Sequence, residues 1–344
     1  GTKRWLKISR VSLVDLQPPL GATRCMAMCS VHSLVSGELL AVLEDYEGQT
    51  AREMKRLLAA KLGISRFRQR IFLDDAELQD DTILPETALA VQLLLLEFCA
   101  PDMEEDKRML AASITPSALE TLLLRPRDPN VRDPRGETPL HRMAFNGHGQ
   151  QLRLLLEAKA MVDARDARTQ GWTPMLLAAY RGHAECVALL IEAGTNPDLA
   201  TLEGGSAPVH MAARSGHVDV VQLLIASRVD PEKAKSEGGA TPLHMAGEKG
   251  HAEVVRLLIA AGVDINKKKE DGITPLDIVA MKCKNSVAKS QVTRLLISAR
   301  VDIEQCTSTK AALYTAGAFH CRDRLIDLGL QGYLGGEYGQ RDSE

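Results

Sequence analysis

The 344 residues predict an α+β multidomain chain: a small sheet-and-helix domain first, then an α-solenoid of repeated helix pairs. A Gly-x-Thr/Ala-Pro motif recurs five times at spacings of 33 to 35 residues, a period that belongs to stacked supersecondary units. Residues 26–98 lack that period and combine short apolar runs with a single amphipathic helix. Aromatic residues make up 3% of a chain that is 45% hydrophobic, so the core is built from Leu, Val, Ile and Ala.

The elements follow in chain order. Residues 1–25 carry a formal charge of +4 and no sustained apolar run, so they read as a basic flexible tail and not as a secretory signal. The first residue is Gly1 rather than Met, which leaves a longer parent sequence as an expectation. Two strands are expected around Gly37. Thr50-Ala-Arg-Glu53 is a capping box that opens a helix with Met54, Leu57, Leu58 and Leu62 as its apolar face, ended by Gly63. Strands at 70–73 and 89–93 complete the domain. The spacing of Gly63-Ile64, Gln69-Arg70, Leu78-Gln-Asp80 and Leu84 resembles that of ubiquitin, which implies a ubiquitin-like β-grasp domain over 26–98. The resemblance also implies a docking face at Val35, Phe72 and Gln92, of which only Val35 and Phe72 are apolar. No terminal Gly-Gly closes the segment, since Phe98-Cys-Ala-Pro101 runs on, so conjugation is not expected of it. Residues 99–106 read as a short acidic linker.

The solenoid begins with a cap in which Met109 to Leu124 offer two apolar helices. The clear units open at Gly136-Glu-Thr-Pro-Leu-His141, Gly171-Trp-Thr-Pro-Met-Leu176, Gly205-Ser-Ala-Pro-Val-His210, Gly239-Ala-Thr-Pro-Leu-His244 and Gly272-Ile-Thr-Pro-Leu-Asp277. In four of them Thr is the helix N-cap, the third having Ala207 there, and in each Pro takes the first helical position, where its missing N–H costs little. Gly-His follows at 147, 182, 216 and 250, the glycine ending the first helix in a left-handed conformation. A second helix carries a buried stripe such as Val254, Val255, Leu258 and Ile259, and polar loops such as 263–271 join the units. In every one of these elements the chain resembles the ankyrin repeat. That resemblance implies about five repeats plus degenerate caps over 107–330, with loop tips on one side and the first helices lining a concave surface. The fifth unit departs from it, with Asp277 in place of His and an insertion of about five residues at 282–289. A degenerate last unit is expected at 311–328, and 331–344 read as a flexible Gly-rich tail.

The formal charge of −3 supplies no field for nucleic acid or anionic lipid. The longest apolar run, 89–98, is broken by Gln92 and Glu97 and falls short of a membrane span. Seven cysteines scattered along the chain do not form a disulfide framework, which favours an intracellular compartment, cytoplasmic or nuclear. Cys25, Cys29 and His32 lack a fourth zinc ligand. His320 and Cys321 lack a third group to orient them. Seven of the nine histidines occupy two repeated positions, where the family resemblance implies structural hydrogen bonds. Lys267-Lys-Lys269 reads as a solvated loop tip. Nucleotide-binding and hydrolase motifs are missing, so no catalytic residue, cofactor or metal is expected.

What remains is a surface. Stacking the units places Phe145, Tyr180 and Arg214 at one register position and Arg181 at the next, beside Trp172 in a loop, and Trp, Tyr and Arg are the residues enriched at binding hot spots. These five are the expected partner-binding residues of a monomeric, non-catalytic scaffold or adaptor that takes a protein or peptide. The competing expectations are a regulatory arm of a larger enzyme or channel, and an adaptor to ubiquitin or proteasome machinery.

Overall fold

The computed structural model describes residues 28–34, 37–44, 49–73, 76–84, 90–96, 102–111, 113–125, 127–167 and 171–299. The expected terminal tails, the unit at 311–328, Val35, Cys25 and the His320-Cys321 pair lie outside them. The chain divides into two compact units, Gly1–Gly63 with Gln69–Leu95, and Ile64–Arg68 with Leu96–Glu344.

Among the described residues the first unit holds a five-stranded sheet and one helix: β1 (Met28–Ser33), β2 (Leu39–Glu44), α1 (Ala51–Leu62), β3 (Gln69–Leu73), β4 (Ala76–Glu77) and β5 (Ala90–Leu95). Strand order is β2-β1-β5-β3-β4. β1 and β5 run parallel at the centre, and the other pairs are antiparallel. The predicted capping box forms: the Thr50 N–H donates to Glu53 Oε2 at 2.7 Å and the Glu53 N–H to Thr50 Oγ1 at 3.3 Å. Val31, Leu43, Met54, Leu58, Ile71 and Val91 build the core.

Two expectations are corrected here. Leu57 is exposed, while Lys55 is buried and paired with Asp80 at 2.6 Å. The buried stripe runs through Ala51, Met54, Lys55, Leu58 and Ala59, steps of three and four residues that turn Leu57 toward solvent. The return from α1 also contains three strands rather than two, because the two-residue β4 carries no alternation for a sequence pattern to show.

The second unit opens with a 3-10 turn at Arg66–Arg68, whose Phe67 joins the helical core. The buried Arg66 donates to Glu157 at 2.6 Å and to Glu120 at 2.9 Å. Helix α2 (Met103–Met109) occupies part of the expected linker. Asp102 accepts from the Glu104 and Glu105 N–H groups at 3.0 and 3.4 Å, and the acidic run then fills the first turn, where the helix dipole favours it. Helix α3 (Pro116–Leu124) follows.

Among the described residues five helix pairs come next. The first helices are α4 (Pro139–Asn146), α6 (Pro174–Arg181), α8 (Pro208–Ser215), α10 (Pro242–Lys249) and α12 (Pro275–Lys282). Their partners are α5 (Gly149–Glu157), α7 (Ala184–Glu192), α9 (Val218–Ala226), α11 (Ala252–Ala260) and α13 (Ser286–Ser298). The insertion lengthens α13 to 13 residues, against 9 for each of the other four. One continuous core of Leu, Val, Ile, Met and Ala runs through the pairs, as stacking of units that cannot bury their own faces requires.

Candidate partner-binding groove

Four of the first helices, α4, α6, α8 and α10, end at the glycine where the sequence places it. Gly147, Gly182, Gly216 and Gly250 have φ of +77°, +82°, +83° and +79°, the left-handed region glycine enters without strain. Phe145, Tyr180 and Arg214 therefore sit in the last helical turn of three successive units. The histidine of the next unit holds the carbonyl of each: His183, His217 and His251 donate from Nε2 to Phe145, Tyr180 and Arg214 oxygen, all at 3.0 Å. A Cβ on Gly147, Gly182 or Gly216 would lie 2.6, 2.4 or 2.6 Å from the same ring, so close approach demands glycine as strongly as φ does.

The other repeated histidine is buried. His141, His210 and His244 meet the carbonyls of Trp172, Ala240 and Ile273 from Nε2 at 3.1 to 3.2 Å. Their Nδ1 atoms accept the N–H of Thr138, Ala207 and Thr241. Both bonds need the neutral ring with its proton on Nε2. Burial pushes His210 and His244 down to about 4 and lowers His141. The Thr138 and Thr241 hydroxyls lie 2.8 Å from Nδ1 and donate to it. The simple cap expected at Thr241 is thereby extended into a box, in which the N–H and the hydroxyl of Thr241 both meet the ring of His244 at the third helical position. Where no histidine follows, Thr173 does accept from the Leu176 N–H, at 3.3 Å.

These contacts place the aromatic residues. The Trp172 N–H donates to Asp166 Oδ1 at 2.7 Å and its carbonyl is held by His141, so its main chain is fixed on both sides. The Trp172 and Tyr180 rings meet edge-on, centroids 5.7 Å apart at 82°, and the Arg181 guanidinium lies 4.6 Å from the Phe145 ring centre. Phe145, Trp172, Tyr180 and Arg214 line one groove of about 920 Å³. Arg181 reaches that site only through its stacking on Phe145. Phe145 is 38% exposed and Tyr180 42%, enough area left open for a ligand.

Sequence reasoning missed the loop side of this groove, which includes Glu203, Lys235 and Glu237, and Lys249 on the helix side. A signal was available: Glu203 and Glu237 both fall four residues before the helix-capping position, at 207 and 241. In the first unit, Phe72 and Gln92 are direct cross-strand partners, flanked by Glu77 opposite Phe72 and His32 opposite Gln92. The apolar patch implied there is interrupted by polar neighbours.

Other candidates resolve into structural roles. The buried Cys186 thiol is pushed up to about 12 by burial, which leaves it protonated. Lys267 pairs with the Glu232 carboxylate at 3.5 Å and Lys269 with Asp271 at 2.8 Å, so two of the three lysines of the basic loop are neutralised by neighbouring acids. Among the described residues no group of three metal-ligating side chains occurs, and no helix is long and apolar enough to cross a membrane.

A model of the family described as ankyrin repeats (3 copies) matches residues 108–201, 193–269 and 209–306. The matches together span more than half of the chain, and the chain belongs to the ankyrin-repeat family. Members of that family mediate protein–protein interaction. No curated protein matches the chain as a relative.

Proposed function

We propose that this protein is a non-catalytic, intracellular interaction scaffold that binds a protein or peptide in the groove of its ankyrin units and acts as a monomer. One observation carries the reading: Phe145, Trp172, Tyr180 and Arg214, contributed by three successive units, line a single groove with their main chains held, Phe145, Tyr180 and Arg214 exposed and Trp172 partly buried. Aromatic rings offer large area at low entropy cost, and a cation beside them adds selectivity for charge. The test is a partner captured with the full chain and measured again with Tyr180→Ala and Trp172→Ala, after circular dichroism has shown both variants folded. Each substitution is expected to weaken binding by about 2 kcal/mol, roughly 30-fold. Undiminished binding by both would place the partner elsewhere.

The first unit we read as a ubiquitin-like β-grasp domain. Its support is the strand order with parallel central strands and one helix against the sheet. On this reading it is an integral docking domain, not a conjugated modifier, and Phe72 is its apolar contact. Because Gln92 lies directly opposite Phe72, general ubiquitin receptors are expected to bind it weakly or not at all in a pull-down.

A further inference from the structure

Phe145 is gripped twice by the unit that follows it, through the residues on either side of Gly182. His183 donates from Nε2 to the Phe145 carbonyl at 3.0 Å, and the Arg181 guanidinium lies over the Phe145 ring, 4.6 Å from its centre. The main chain between them is fixed, the Gly182 and His183 N–H groups both donating to the Ala178 carbonyl, at 2.9 and 3.0 Å. The guanidinium is therefore held beside a ring that lines the groove. The next two joints have no such pair. At the register of Arg181 they carry Ser215, too short to cover Tyr180, and Lys249, whose counterpart Arg214 is itself a cation. Arg181 also stands apart in its charge. It is exposed, and among the described residues no ion pair or hydrogen bond engages it. Its neighbours in register, Asn146 and Ser215, are uncharged. Arg214 and Lys249 already share an acid: burial works against the Glu248 carboxylate, yet the bond from Lys249 and the charges of Lys249, Lys282 and Arg214 hold it below its ordinary value.

We propose that Arg181, held over Phe145, reads a carboxylate on the bound segment: an Asp or Glu side chain next to an apolar residue that enters the aromatic groove. The inference rests on the groove being the partner-binding surface and names the chemistry that surface selects. A ring face holds a cation through its quadrupole and supplies no acceptor to the guanidinium N–H groups. Those groups form a planar fork that a carboxylate meets with two bonds at once. A fork already settled on a ring loses little freedom when its ligand arrives. A phosphate carries nearly twice the charge and is matched by clusters of arginines. Here one guanidinium stands between two uncharged neighbours in register, which suits the single charge of a carboxylate.

The experiment selects peptides from a randomised phage-displayed library against the full chain and measures the enriched ones, resynthesised with a dye, by fluorescence polarisation. They are expected to share an Asp or Glu beside an apolar residue. Replacing that acid with its amide is expected to weaken binding to the wild-type chain about tenfold and to leave it unchanged for Arg181→Gln, the coupling that a double-mutant cycle isolates. Arg181→Lys, which keeps the charge without the fork, and Phe145→Leu, which removes the ring beneath it, are each expected to shrink the difference. Circular dichroism first shows each variant folded. Enrichment without an acid, or an acid whose replacement weakens binding equally in Arg181→Gln, would overturn the carboxylate; where Tyr180→Ala abolishes binding of the same peptides, the groove reading stands. Peptides that bind Tyr180→Ala and Trp172→Ala undiminished would overturn both. Tighter binding with phosphoserine in place of the acid would overturn the carboxylate in favour of a phosphopeptide. A selection that yields no binder would overturn the carboxylate alone, because the captured-partner test of the groove uses none of these peptides.

Discussion

At the scale of single residues, the joints between units depend on one proton position. The buried histidine donates forward from Nε2 to the next unit and accepts at Nδ1 from its own helix start. Thr138 and Thr241 each direct two donors at that Nδ1, the N–H and the hydroxyl. Ala207 directs only its N–H, at 3.2 Å. Its backbone, φ −77° and ψ 165°, is close to the −91° and 166° of Thr241, so a threonine there adopts the conformation its neighbours already have. Ala207→Thr is expected to raise stability by about 1 kcal/mol, the net worth of one buried hydrogen bond. Urea unfolding checks it: an unchanged or lowered midpoint means the hydroxyl does not reach the ring.

The element scale shows where local rules are kept and where they are broken. The second residue after each of α5, α7, α9 and α11 is left-handed: Gly194 at φ +83° and Gly262 at +80°, but Lys159 at +63° and Arg228 at +64°. A residue with a Cβ pays about 1 to 2 kcal/mol in that region. Arg228→Gly therefore relieves strain, offset in part by the greater freedom glycine has when unfolded, and a net gain of about 0.5 kcal/mol is expected. Hydrogen exchange of α9 with its C-terminal turn, slower in the variant, is the measurement. The helix pairs were legible because Thr-Pro and Gly-His, present together at three of the first helices and singly or in part at the other two, mark helix ends by physics that acts within a few residues. Leu57 was misread because a capping box fixes where a helix starts but not which of its sides meets a sheet that forms from distant strands. Phe67 and Arg66 join the helical unit through a three-residue turn, too short to carry any period. In the groove, side chains from the first helices could be aligned by register, whereas the Trp172–Tyr180 contact depends on a loop whose path is set by Asp166 and His141.

Across the whole molecule the buried histidines act together. His210 and His244 titrate near 6.5 when unfolded and are pushed to about 4 when folded, so the unfolded chain binds more protons between those values. The stability this neutral burial contributes is intact above pH 6.5 and is lost as pH falls toward 4, at about 1.4 kcal/mol per pH unit for each ring. His141 adds to the same trend. Carboxylates held low, such as Asp133 against Arg142, lose their share only below their ordinary value of 3.8, so the two windows separate. Urea midpoints measured between pH 7.5 and 4.5 are expected to fall steeply and in a salt-tolerant way. A flat profile would mean that the rings are hydrated in the folded state.

The histidines that bind Phe145, Tyr180 and Arg214 hold only carbonyl oxygens, an atom every amino acid possesses. A new side chain at any of these three positions leaves the histidine bond to the next unit in place, because that bond takes only the carbonyl from this position; at Phe145 only the stacking of Arg181 is lost. The groove is thus a lettered strip on a fixed frame: its characters can be replaced one unit at a time, by mutation over generations or by design, while the frame that spaces them is untouched.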